Sequence, residues 1–374
     1  MLINIHFKKY KRFQKTIASA KIMCYCIGCG NALTISGGTA MTKVTIKDVA
    51  REAGVSISTV SKALNDVNVV KPDTKKHILE VAQRLEYSPN LIGQRLKSGS
   101  TQTIGFFTSS VTGPYFSLLM DALAHFSEKS GYGLNVYISS DRHQIMNTIR
   151  GNLFDGVLLF DLVISDQDLE ILNSEKMPVV FLDRKYTSEY ATSVIFDSFQ
   201  AGYDVGNYLL NLGHRKIAYI AGFEGVYDSE QRLAGLRKAL AERSLAIPPS
   251  YLLQGLFEEA AAYNAVLSFI RSARIQGTEI PTAFVAGNDI SAIGAMKALK
   301  YEGYNVPEDV SVIGFDDIDI AEYFSPALTT IRNPIAAQAR QSINLLLQLI
   351  KGERNVAAKV LPGELIIRKS ARNI

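Results

Sequence analysis

From residue 102 to residue 374, short apolar runs alternate with stretches of helical periodicity, and this restricts the fold more than any other feature of the chain. Strands are expected at Thr103–Phe107, Leu134–Ile138, Gly156–Phe160, Val179–Leu182, Val194–Phe196, Lys216–Ala221, Ala283–Ala286, Val310–Phe315, Thr330–Arg332 and Glu364–Ile367. Helical segments such as Phe116–Ser130, Ala201–Leu212, Glu230–Glu242 and Asp289–Glu302 lie between them. Apolar strands separated by amphipathic helices form βαβ units, which build parallel sheets covered on both faces. A stretch of about 270 residues is more than one hydrophobic core usually holds, so two lobes are expected.

The net charge of +4 over 374 residues becomes informative once it is divided. Residues 1–40 carry six Lys/Arg and no acid, residues 41–99 carry ten Lys/Arg and six acids, and the remainder carries 24 Lys/Arg against 30 acids. A basic N-terminal end on an acidic body suits a nucleic-acid-binding head.

From Met41 onward the local signals are dense. Thr45 and Asp48 form a T-x-x-D capping box, followed by Ile46, Val49, Ala50 and Ala53 as one apolar stripe. Gly54 supplies a turn and Ser56 an N-cap for a second helix, which turns Val60, Ala63 and Leu64 inward. Ile57, Ser58, Thr59, Ser61 and Lys62 are left near its exposed start and outer face. A third helix follows Pro72-Asp73, with Ile78, Val81, Ala82 and Leu85 inward, and Ser88-Pro89 ends it. Two short helices joined by a Gly turn and buttressed by a third make a helix-turn-helix. The second helix of that motif enters the major groove.

The run Val44–Asn65, reading VTIKDVAREAGVSISTVSKALN, resembles the head of the lac-repressor (LacI/GalR) family almost position by position. Tyr87-Ser-Pro-Asn90 and Gln94-Arg-Leu96 continue the likeness. The resemblance implies that Ile57, Ser58 and Lys62 read bases. It places Thr45, Ser56, Thr59, Ser61, Asn65, Thr74 and Lys75 on phosphates of a pseudo-palindromic double-stranded DNA operator. Lys62 stands where the family more often has Arg, which exchanges a bidentate fork for a single flexible contact.

Residues 89–101 are expected to be a hinge, too short and polar to hold a helix alone. In the family this segment folds on DNA, pairs with its dimer mate and wedges a leucine into the minor groove. Leu96 matches that leucine, and Asn90 is carried over as a hinge contact to DNA. Gly93 stands where the family usually has Ala, and Gly costs about 0.5–1 kcal/mol in a helix interior.

The body resembles the same family along its length, through Asn211–Ile217, Arg232-Leu-Ala-Gly235, Gly287-Asn-Asp289, Val306–Asp317 and Leu328–Ile331. The resemblance implies an α/β fold: a three-helix helix-turn-helix head plus a two-lobed core of parallel sheets like that of periplasmic binding proteins. The N-lobe is expected at about 102–200 and 334–358 and the C-lobe at about 201–333 and 359–374, with chain crossings near 198–202, 331–334 and 356–360. Ligands of open α/β sheets sit beyond the carboxyl ends of strands. Asp183, Asn288-Asp289 and Asp316 each follow an expected strand, so topology points them at the cleft. Arg232 and Phe257 enter through the resemblance, Phe257 as an aromatic against a sugar ring. Ser109, Tyr115, Phe116 and Phe160 are expected to line the N-lobe side. The implied effector is a sugar or sugar derivative, and the implied function is allosteric control of a repressor of carbohydrate-utilisation genes.

Residues 1–40 hold all three cysteines, Cys24, Cys26 and Cys29, and lack periodicity. Lys21 breaks the apolar run a signal peptide needs, and three cysteines fall short of the usual four zinc ligands. Met41 is read as the start of the native protein, with residues 1–40 a mis-assigned or disordered extension. No metal or cofactor is implied. No run of about 18 uncharged apolar residues exists, so a cytoplasmic protein is expected.

Catalysis lacks support: no nucleophile–base pair accompanies Asp316-Asp317, and neither Gly28-Cys-Gly30 nor Gly131-Tyr-Gly133 extends to a phosphate-binding loop. A sugar-binding protein without a DNA role would leave the head unexplained. A global regulator that docks a phosphocarrier protein remains open on the sequence alone. The chain stops soon after Glu364–Ile367, without the leucine-rich helix of tetrameric family members, so a homodimer is expected.

Overall fold

The computed structural model describes residues 44–64, 69–87, 99–160 and 164–374. The expected extension at 1–40, Met41, Asn65, Asn90, Gly93 and Leu96 lie outside the described residues. The chain divides into two units, residues 1–90 and 91–374.

The first unit contains α1 (Ile46–Glu52), α2 (Ile57–Leu64) and α3 (Pro72–Arg84). Gly54 turns the chain between α1 and α2 at φ +65°, a backbone region open to glycine at little steric cost. Val49, Ala50, Ala53, Val60, Ala63, Ile78, Val81 and Ala82 form the core, with Leu64 and Leu85 half-buried around it.

In the second unit the first lobe opens with β1 (Thr103–Thr108), α4 (Pro114–Lys129), β2 (Gly133–Ile138), α5 (Arg142–Ile149), β3 (Gly156–Phe160), α6 (Asp166–Ser174), β4 (Val179–Phe181) and β5 (Ala191–Phe196). The chain passes through Asp197 into α7 (Ser198–Asn211), β6 (Ile217–Ala221), α8 (Tyr227–Ala241), β7 (Leu252–Gln254), α9 (Glu259–Gln276), β8 (Ala283–Ala286), α10 (Asp289–Tyr301), β9 (Ser311–Asp316), α11 (Asp319–Tyr323) and β10 (Thr329–Arg332). It returns through Asn333-Pro334 to α12 (Ile335–Ile350) and β11 (Lys359–Leu361), then crosses at Pro362-Gly363 to β12 (Glu364–Ile366). Two six-stranded sheets result among the described residues, in the orders β11-β5-β4-β3-β1-β2 and β12-β10-β9-β8-β6-β7.

The structure differs from the sequence expectation in several places, beginning with the first crossing, which falls at Asp197 rather than within 198–202. β11 pairs with β5, so Lys359–Leu361 belong to the first lobe and the third crossing falls at Pro362-Gly363, not at 356–360. β12 runs antiparallel to β10, which gives the second sheet one antiparallel edge. β7 and β11 had no clear periodicity because three residues cannot display one. Finally, the end of the expected hinge belongs to the body. Asp155 accepts from the Ser100 hydroxyl at 2.5 Å, from the Thr101 and Gln102 backbone N–H groups at 2.6 and 2.9 Å, and from the Thr101 hydroxyl at 2.9 Å.

Each sheet is covered on both faces. Leu119, Leu123, Ile343 and Leu346 cover one face of the first sheet, and Ile145, Ile149, Leu169 and Leu172 the other. In the second lobe, Val205, Leu209, Leu236 and Leu240 cover one face, and Val266, Ile270, Ala295 and Leu299 the other. Each such Val, Leu or Ile side chain contributes about 1.5–3 kcal/mol on burial. Both strand sets therefore end, rigidly held, at the cleft between lobes.

Candidate functional site

In the head unit, α2 is held by its own cap. Ser56 Oγ accepts the Thr59 backbone N–H at 3.2 Å and lies 2.8 Å from the hydroxyls of both Ser58 and Thr59. Val60 and Ala63 are buried, which rotates Ile57, Ser58 and Lys62 outward; Ile57 is 44% exposed although apolar. Thr59 and Ser61 flank this face and are half-buried, as are Thr74 and Lys75 in the first turn of α3. The N-terminus of a helix presents free backbone N–H groups to anions. Asp48 accepts the Thr45 backbone N–H at 3.0 Å and the Thr45 hydroxyl at 2.7 Å, so that hydroxyl is spent on the cap of α1. The hydroxyl bond, with the backbone bond and the Arg51 guanidinium, holds the Asp48 carboxyl below its ordinary range.

In the body, a cavity of about 850 Å³ lies at the carboxyl ends of both sheets. All of Ser109, Tyr115, Phe116, Phe160, Asp183, Arg232, Phe257, Asn288 and Asp316 line it. Asp289, expected at the cleft with Asn288, turns elsewhere, and so does Asp317 beside Asp316. Asp289 is fully buried and accepts the Ile318 backbone N–H at 3.0 Å and the Thr330 hydroxyl at 2.5 Å, fixing the segment after β9. Asp317 pairs with Arg332 at 2.8 Å and Arg368 at 2.7 Å.

The first lobe presents rings. α4 begins at Pro114, two residues before the expected start, because proline fits the first helical turn. Tyr115, Phe116 and Phe160 then meet with centroids 5.3–5.8 Å apart. The Tyr115 hydroxyl reaches Gln338 Oε1 at 3.4 Å, and the Gln338 amide donates to the carbonyls of Leu182 and Val194, both at 2.9 Å. Burial pushes the Tyr115 phenol well above its ordinary range. Asp183, just past β4, faces Arg184 at 3.4 and 3.5 Å. Burial drives its carboxyl up to about 7 against the pull of Arg184, with the Asp228 charge adding to the rise.

The second lobe presents charge. Arg232 is 4% exposed. Its Nη1 donates to the Gly287 carbonyl, its Nη2 lies 3.6 Å from Asp316, and its guanidinium stacks 4.8 Å from the Phe315 centroid and 5.5 Å from that of Phe196. Its Nε has no hydrogen-bond partner among the described residues. Glycine allows this seating. A Cβ at Gly235 would run into the Phe199 carbonyl and one at Gly202 into that of Arg232, so α7 and α8 touch backbone to backbone. Phe257 lies against Gly222 and Gly287, where a Cβ would meet its ring. Leu256 and Phe257 both adopt left-handed backbone, φ +52° and +55°, a strained state for residues with side chains. Burial raises the Asp316 carboxyl to about 6, opposed by Arg232 and by the Asn333 side chain.

Sequence reasoning missed Asp228, which also lines the cavity. It accepts the Ser198 hydroxyl at 2.6 Å, and burial raises its carboxyl despite Arg232 and Ser198. The signal was present: Asp228 and Arg232 are four apart on one helix and so share a face. Phe223, Tyr227 and Ile318 join the lining as well. Among the described residues no group of three metal-ligating side chains comes together, and no helix is long and apolar enough to cross a membrane.

Comparison with known proteins gives consistent results. Residues 45–90 match the family described as bacterial regulatory proteins, lacI family, and residues 207–371 match the periplasmic binding protein-like domain. The HTH-type transcriptional repressor PurR of Haemophilus influenzae (strain PittEE) is 34% identical over 340 residues, covering 88% of this chain and 99% of that protein. The lac repressor dimer bound to operator and the anti-inducer ONPF is 28% identical, with a TM-score of 0.77 over 88% of this chain and 100% of that one. A LacI-family regulator of Enterococcus faecium with bound ribose is 30% identical, with a TM-score of 0.65 over 73% of this chain and 99% of that one.

Proposed function

Because this chain belongs to the lacI family of bacterial regulatory proteins and is a DNA-binding transcriptional repressor, we propose that a sugar or sugar derivative in the interlobe cavity sets its affinity for an operator. The observation that carries this reading is the convergence of the nine expected residues on one cavity. Carboxylates, an amide and a guanidinium suit vicinal hydroxyls, and aromatic faces suit the apolar side of a sugar ring. The ribose held by the Enterococcus faecium relative agrees with this chemistry.

In this reading α2 lies in the major groove, with Ile57, Ser58 and Lys62 on base edges. Ser56, Thr59, Ser61, Thr74 and Lys75 hold phosphates. The protein acts as a cytoplasmic homodimer. Leu118, Val136 and Ile138, exposed on α4 and β2, and Ile320 and Tyr323, exposed on α11, supply apolar surface for that contact. Ligand that favours one lobe arrangement over the other shifts the operator-binding population by that difference in affinity.

A second reading, a flat unsaturated heterocycle, is favoured by rings on both cavity walls, where Phe223 and Phe257 lie 6.4 Å apart opposite the Tyr115 cluster. A thermal-shift screen of sugars and nucleobases, followed by operator titration with each hit, tests both. The sugar reading expects a sugar that shifts the melt and changes operator affinity. Hits among nucleobases alone would overturn it.

A further inference from the structure

The charge inventory of the cavity is one-sided. Among the described residues, six carboxylates line it, those of Asp183, Glu224, Asp228, Glu258, Glu259 and Asp316, against the single guanidinium of Arg232. Glu259 is answered from outside by Lys297 at 2.6 Å, and Asp183 by Arg184, at distances long for a charge-assisted bond. Asp228 and Asp316 share Arg232. That cation lies 3.6 Å from Asp316 and also donates to the Gly287 carbonyl. Among the described residues, Asp228 accepts one hydrogen bond, from the Ser198 hydroxyl at 2.6 Å. At the cavity floor, three carboxylates among the described residues therefore face two guanidiniums.

One surplus negative charge is tolerable in an open, wet cavity. Once a ligand displaces the water, an uncompensated carboxylate in a low-dielectric site becomes costly. A ligand that carries its own positive charge removes that cost, and one that carries a phosphate or carboxylate adds to it. The walls agree, because the rings of Phe116, Phe160 and Phe257 line the cavity, and aromatic rings attract cations through their quadrupoles. Burial holds the carboxyls of Asp183, Asp228 and Asp316 above their ordinary range despite the pull of Arg184 and Arg232.

We propose that the effector is an amino sugar, a hydroxylated ring bearing one protonated amine, with the ammonium seated against Asp228 between the two lobes. This rests on the sugar reading above and names its charge class. Asp228 is then the specificity-determining residue, and phosphorylated sugars are excluded.

The test is isothermal titration of the full chain with matched sets: aminohexoses and aminopentoses, their neutral parents, their N-acetylated forms and their phosphates. An amino sugar should bind at least about tenfold tighter than its parent and its N-acetyl form, with no detectable binding of the phosphate. Asp228→Asn, which keeps the acceptor for Ser198, should bring amino sugar and parent to within about threefold. A parent, N-acetyl form or phosphate that binds as tightly as the amino sugar overturns the charge inference and leaves the sugar reading standing. Retention of the preference by Asp228→Asn also overturns it. If no member of any set binds, the sugar reading falls, and this inference with it. Should Asp228→Asn fail to fold, the ligand sets on the unaltered protein decide alone.

Discussion

The two walls of the cavity are built on different principles. The second-lobe wall is over-determined: Arg232 is stacked on two rings and bonded to a carbonyl, the α7–α8 crossing below it is closed to backbone contact, and Phe257 fills a glycine-floored slot on strained backbone. The first-lobe wall is a cluster of rings that contact one another edge-on, with the Tyr115 hydroxyl tied through one long bond to Gln338. Polar recognition depends on donors fixed to within fractions of an ångström, which rewards rigidity. Apolar contact is non-directional and tolerates rotation of a ring. On the proposed reading, the second lobe reads the ligand and the first lobe covers it.

Substitutions should break this asymmetry in order of size. Arg232→Met is expected to weaken ligand binding at least about 100-fold, or about 2.7 kcal/mol. It should also cost about 3–5 kcal/mol of stability, because Asp316 and Asp228 lose their shared cation. Titration of ligand into the mutant checks it, and affinity within about threefold of the parent would remove Arg232 from the site.

The walls should also titrate in different windows. Asp183 on the first wall is held up to about 7 and Asp316 on the second to about 6, both above the unfolded value of about 3.9. A raised carboxyl binds its proton more tightly in the folded state, so the native protein gains stability as pH falls and loses it as pH rises through the folded value. The ligand-free body should therefore melt higher at about pH 5 than at about pH 8, by a few kcal/mol in stability. Asp183→Asn should flatten the upper part of that slope and Asp316→Asn the lower part, read from melting curves across the range. A melt that rises steadily with pH would contradict both assignments.

Ring truncations sharpen the comparison. Phe257→Ala should cost about tenfold or more in ligand affinity and Phe160→Ala about threefold, since neighbouring rings can fill the latter space. The reverse order would mean that the first lobe is the rigid partner. The smallest effect is expected from Gln338→Leu. It orphans the Leu182 and Val194 carbonyls at about 1–2 kcal/mol of stability, and it should change ligand affinity only about threefold by freeing the Tyr115 hydroxyl.

Much of the site was legible because strands end in sequence where they end in space. Asp183, Asn288 and Asp316 each follow an apolar run, and βαβ handedness sends such residues to one edge. The same logic failed for Asp289. A strand end fixes an edge but not which way each of two adjacent side chains turns. Asp316 and Asp317 both adopt positive φ, +111° and +54°, which breaks the alternation a strand would impose. Asp228 was passed over because an acid four residues before an arginine is ordinary on a solvated helix face; the tight crossing at Gly202 and Gly235 made it buried.

The sequence alone determined the head, ten of the twelve strands among the described residues and the sheet edge at which the expected site residues gather. Those follow from local physics: caps, turns and the periods of 3.6 and 2 act over a few residues. Tertiary structure decided which carboxylates face the cavity, which are answered by cations, and that Lys359–Leu361 complete the first lobe rather than the second. Charge compensation and edge pairing depend on groups distant in the chain, Ser198 with Asp228 or Val194 with Lys359. Their energies are set by burial, which no short stretch of sequence contains.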